Sequence, residues 1–82
     1  MNRPGTRTKV SRRIKRFRQE NGLSQAQLAR SAGVTRQAIS LIEQGKRDVT
    51  LQLAIKVAEA LGVTVGELVG ERSAREVSRF HP

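Results

Sequence analysis

Residues 25–43, QAQLARSAGVTRQAISLIE, decide how this 82-residue chain folds. Counted from Gln25, the apolar residues Leu28, Ala32, Val34, Ile39 and Ile42 fall where two short helices crossing at a sharp turn must be apolar to pack. Ala29 stands where such helices approach most closely and a larger side chain would push them apart. Gly33 stands at the turn, where a positive φ is easiest without a Cβ. Between these anchors Arg36, Gln37 and Ser40 are left on the exposed face, and each side chain can hydrogen-bond a base edge in a DNA major groove. Any one of these residues alone is ordinary helix surface. Their agreement at fixed spacing reads as a helix-turn-helix.

Capping chemistry extends this reading in both directions. Upstream, Val10, Ile14 and Phe17 recur at i, i+4 and i+7, predicting an amphipathic helix over residues 9–21 that Gly22 ends. Ser24 with Gln27 forms a capping box for a second helix running to Ala32. Thr35 caps a third, which runs to Gln44 and stops at Gly45. Past the polar loop 45–49, Thr50 caps a fourth helix, with Leu51, Ala54, Val57, Ala58 and Leu61 as its expected apolar stripe and Gly62 at its end. Thr64 and Glu67 repeat the capping box for a short fifth helix through Val69, with Leu68 packed back on the core. No stretch alternates with period two, so the expected class is all-α, a compact five-helix bundle over residues 9–69. Residues 1–8, with Pro4 and Gly5, read as a flexible basic arm. The tail 70–82 carries a weak stripe of Ala74, Val77 and Phe80, which reads either as a frayed end or as a segment that packs on a second subunit.

Charge is unevenly placed. The net charge is +9, and residues 1–19 hold eight basic side chains and no acid. Such a segment suits a polyanion, against the plainer alternative of a solvated basic face. A membrane-surface helix fits less well, because the face opposite the charges is needed for the core. No apolar run approaches the roughly 20 residues that span a bilayer, and the basic N-terminus lacks the apolar region of a signal peptide, so the expected location is the cytoplasm, on the nucleoid. With no cysteine and a single histidine, His81, no metal or cofactor site is expected. The seven carboxylates are scattered, without a nucleophile or a Gly-rich phosphate loop, so no enzyme is expected. A core of this size is marginal, and oligomerisation would stabilise it.

Residues 12–69 resemble the XRE family of bacterial and phage regulators, which includes the lambdoid phage repressors and Cro proteins. The matching pieces are FRQENGLSQAQLA, GVTRQAISLIEQGKR and LAIKVAEALGVTVGELV, in order and without insertions. The resemblance implies a lambda-repressor-like five-helix bundle that binds double-stranded DNA, usually as a dimer on a palindromic operator, to repress or activate transcription; the expectation for this chain is a homodimeric repressor. It implies base reading by Arg36 and Gln37, with Ser40 as a weaker reader, and phosphate contacts from Ser24, Gln25, Thr35, Lys46 and Arg47. Gln25 resembles a family glutamine that bonds both a phosphate and a recognition-helix side chain. Arg18 and Glu43 resemble a structural ion pair joining the first helix to the end of the third. Leu41 departs from phage repressors that carry a polar reader there, and leaves only apolar contact, for example to a thymine methyl. Two narrower members remain open: a restriction–modification controller, and an antitoxin that also binds a toxin as its protein partner. A non-specific nucleoid binder is a third alternative, against which the patterned recognition face argues.

Arg3 and Arg7 suit either insertion into a minor groove or simple attraction to phosphate. Deleting residues 2–8 is expected to weaken binding to all DNA sequences and to flatten the dependence of affinity on salt, read by titration at several salt concentrations. An unchanged salt slope would remove the arm from the interface.

Overall fold

Val10 and Ile14 are fully buried on one side of the first helix, α1 (Thr6–Glu20), with Phe17 half-buried beside them. This is the periodicity of the sequence turned into a packed face. The computed structural model describes residues 6–69, with side chains from residue 9 onward. After α1 come α2 (Gln25–Ala32), α3 (Arg36–Glu43), α4 (Leu51–Leu61) and the single-turn α5 (Val65–Val69). No strand occurs among the described residues. Helix α1 starts three residues earlier than its apolar pattern, taking residues 6–8 from the expected arm. Between Gly5 and Gly22 the sequence has no proline or glycine, and a nucleated helix extends readily through such residues. Residues 1–5 and the tail stripe at Ala74, Val77 and Phe80 lie outside the described residues.

Helix α2 packs on α3 and α4, while α1 packs on α3, α4 and α5. Leu28, Ile39, Ile42, Val57 and Leu68 meet at the centre with essentially no exposure. Ala29 is buried at the α2–α3 crossing, as its small size demands, whereas Val34 is only partly buried. The α4 stripe differs from the expected one at its start. Leu53 joins Ala54, Val57, Ala58 and Leu61 in the core, and Leu51 is 69% exposed. Leu51 is the first residue of its helix, and its side chain leans over the preceding turn, past the edge of the core.

Four of the helices end on one motif. At Gly22, Gly33, Gly45 and Gly62 φ lies between 68° and 73°. The next residue's N–H then closes back on a carbonyl five residues earlier: Leu23 on Arg18, Val34 on Ala29, Lys46 on Leu41 and Val63 on Ala58. A Cβ at Gly33 would meet no atom within 4 Å, so glycine is required there by backbone conformation alone.

A side-chain clasp joins α1 to the end of α3. Arg18 donates from Nε to Glu43 Oε2 at 2.6 Å and from Nη2 to Oε1 at 3.0 Å, and Nη1 donates to the Leu23 carbonyl at 2.7 Å. The side chains are 12% and 3% exposed. Close by, the buried Ser11 hydroxyl donates to the Ile42 carbonyl, holding α1 against the turn after α3. Glu43→Ala leaves the guanidinium facing a poorly solvated gap and is expected to destabilise the fold by about 3–5 kcal/mol in urea unfolding. The double variant Arg18→Met, Glu43→Leu should recover most of that loss. Equal losses in the single and double variants would show that the pair's charges do not matter to stability.

Candidate nucleic-acid interface

The starts of α2 and α3 are built alike. Ser24 Oγ accepts from the Gln27 N–H at 3.0 Å, and Gln27 Oε1 accepts from the Ser24 N–H at 2.8 Å. Thr35 Oγ1 accepts from the Ala38 N–H at 3.0 Å. In both caps the hydroxyl serves as acceptor, which leaves its proton to donate outward. Neither helix has an acidic residue in its first turn. The positive end of each helix dipole, with the N–H groups the cap does not take, thus meets no acid from its own first turn and favours an anion. The two exposed caps lie eleven residues apart on either side of the α2–α3 turn.

Arg36 and Gln37 occupy the first turn of α3, and both are exposed. Opposite them, α3 buries Ala38, Ile39 and Ile42 against the core, which fixes the helix and leaves the outer face to polar groups. Arg36 is held from α2: its Nη1 donates to Gln25 Oε1 at 3.3 Å. Gln25 in turn donates from Nε2 to Glu43 Oε1 at 3.0 Å. The structure thus brings Gln25 and Arg36 together with the Arg18–Glu43 pair as one connected set. A guanidinium presents a rigid donor fork that matches guanine O6 and N7, and the Gln37 amide matches adenine N6 and N7. Ser40 is half-buried, and its hydroxyl accepts from Gln44 Nε2 at 2.8 Å, which leaves its proton and a second lone pair for a base. Leu41 is half-buried.

Lys46 and Arg47 are exposed on the loop after α3. In the helix-ending motif, the residue after the glycine usually makes an apolar contact. Leu23, Val34 and Val63 do so, each packed against the core. At the same position after α3 the chain places Lys46, exposed. A cation here gains nothing from packing, and the motif aims it outward beside the end of α3.

Ser11 and the Gln25–Glu43 bond went unread in the sequence. A lone serine on an apolar helix face is the only mark Ser11 leaves there, and the partners Gln25 and Glu43 stand 18 residues apart. Among the described residues no cluster of three or more potential metal ligands occurs, and no helix is long and apolar enough to cross a membrane. His81 lies outside the described residues.

Comparisons with known proteins converge on one family. The chain is 39% identical over 59 residues to an uncharacterized HTH-type transcriptional regulator of Methanocaldococcus jannaschii, covering 72% of this chain and 89% of that one. It is 39% identical over 64 residues to the immunity repressor protein of Bacillus phage phi105, covering 78% of this chain and 44% of the repressor. Among solved structures, the restriction-modification controller protein C.AhdI from Aeromonas hydrophila superposes with a TM-score of 0.74 at 35% identity, over 76% of this chain and 94% of that one. Residues 14–68 match the helix-turn-helix family HTH_3, a span that includes α2, α3 and both caps, and the chain belongs to this XRE-type family of helix-turn-helix proteins.

Proposed function

We propose that this protein is a sequence-specific DNA-binding transcriptional regulator that acts as a homodimeric repressor on a palindromic operator. The observation that carries the reading is the exposed first turn of α3. There Arg36 and Gln37 project from the start of a helix whose opposite face is locked in the core, and neither that first turn nor the first turn of α2 contains an acid. Similarity to a phage immunity repressor and to HTH-type regulators supports it. In this reading α3 lies in the major groove, and Arg36, Gln37 and Ser40 face base edges. Ser24, Gln25 and Thr35 at the helix starts, with Lys46 and Arg47 on the loop, contact backbone phosphate and fix the register. Two copies place their α3 helices about 34 Å apart, one turn of the duplex. The exposed apolar pair Leu51 and Ile55 on one flank of α4 supports self-association. The likeness to a restriction–modification controller over 94% of its length favours, as a second reading, control of such an operon. An operator ahead of a methyltransferase or nuclease gene would decide for it.

Base and phosphate contacts separate cleanly in an affinity matrix of variants against singly substituted sites. Arg36→Ala is expected to cost about 1–3 kcal/mol on the operator and to relax the requirement at one base pair per half-site. Lys46→Ala should weaken binding to every sequence alike and lower the salt slope by about one. A uniform loss for Arg36→Ala would reassign it to a phosphate.

A further inference from the structure

We infer that Glu43, whose side chain is buried at the opposite end of α3, is a positioning residue for Arg36, acting through the polarity of the Gln25 amide. This rests on the reading of Arg36 as a base-contacting side chain. An amide has a donor end and an acceptor end, and either can point outward unless something selects between them. A carboxylate only accepts. Glu43 therefore takes the Nε2 end of Gln25, at 3.0 Å, and turns the Oε1 end toward α3. Arg36 Nη1 donates to that oxygen at 3.3 Å. The carboxylate is itself fixed, because Arg18 holds both its oxygens and its side chain is 3% exposed. Orientation thus passes outward from a rigid buried pair, through one amide, to an exposed and otherwise freely rotating guanidinium.

Two consequences follow for recognition. An arginine side chain loses considerable rotamer entropy when it docks on a base, and a partner that already holds it reduces that loss. The gain is realised only where the guanidinium finds its two acceptors, so it raises discrimination at that base pair rather than affinity for all DNA. The outward-facing acceptor also selects what position 36 accommodates. A donor such as arginine is held, whereas an acceptor-only side chain would meet a second oxygen.

The test uses the full chain on its operator and on the site changed at the base pair that Arg36 reads, with Arg36→Ala fixing which pair that is. Gln25→Met removes the bridge and keeps the Arg18–Glu43 clasp, so the fold is retained. Glu43→Gln replaces the carboxylate by a group that no longer dictates which end of Gln25 faces out. Thermal unfolding records whether each variant is folded. Both variants should lower discrimination at that single base pair by roughly two- to tenfold, the equivalent of one hydrogen bond, and leave discrimination at the other pairs unchanged. Loss of a phosphate contact by Gln25 would add an equal weakening on all sequences and would not alter these ratios. Full discrimination retained by folded Gln25→Met overturns the positioning role while leaving Arg36 as a reader. If Glu43→Gln is too unstable to assay, the Arg18→Met, Glu43→Leu double variant, which removes the carboxylate without stranding the guanidinium, takes its place. Full discrimination retained by whichever of the two is folded overturns the role of Glu43. If Arg36→Ala relaxes no base pair, the underlying reading fails, and the positioning role with it.

Discussion

The Glu43 carboxylate is the point on which three helices converge. It ends α3, pairs with Arg18 of α1 and accepts from Gln25 at the start of α2. A buried carboxylate is unfavourable unless its lone pairs are met, and here three donors meet them. The geometry this imposes is specific. The end of α3 is tied to the start of α2 by a directional bond. Apolar packing alone would tolerate small slides between α2 and α3, because hydrophobic contact is non-directional. The clasp removes that freedom at the place where register against a DNA duplex matters most.

Around this node the fold divides its work by side of the helix. Inner faces supply a core made of Leu28, Ile39, Ile42, Val57 and Leu68, and outer faces are left to charge. Helix ends carry the remaining chemistry. The first turns of α2 and α3 contain no acidic residue of their own, and the turn after α3 carries a lysine where three matching turns carry apolar residues. These features cost little in stability and gather anion-binding groups around one exposed helix. The combination suits a duplex, in which phosphates bracket the base edges that the central helix would read.

Much of this was legible in the sequence because capping is local. Ser24 with Gln27 and Thr64 with Glu67 are three residues apart, and their hydrogen bonds form as the spacing implies. The glycine stops at 22, 33, 45 and 62 were legible for the same reason, since each is required by the φ of its own turn. Periodicity was less reliable at helix ends. Leu51 fits the α4 stripe by number, but its place at the first turn puts it beyond the core, and Leu53 fills the space instead. The start of α1 was missed because the helix outruns its apolar pattern. Least legible was the bond from Gln25 to Glu43. No spacing rule links residues 18 apart, and only the crossing of α2 and α3 brings the amide to the carboxylate.

Whether α3 reads DNA sequence in a two-fold arrangement is decided by selection of a randomised duplex library on the purified protein, at physiological salt and with non-specific competitor. A two-fold reader recovers a palindrome whose half-sites lie one helical turn apart. A single short site would keep sequence reading and contradict the dimer. Salt-sensitive binding with no enrichment of any sequence would rule out sequence reading by α3 and leave the basic face as an electrostatic surface alone.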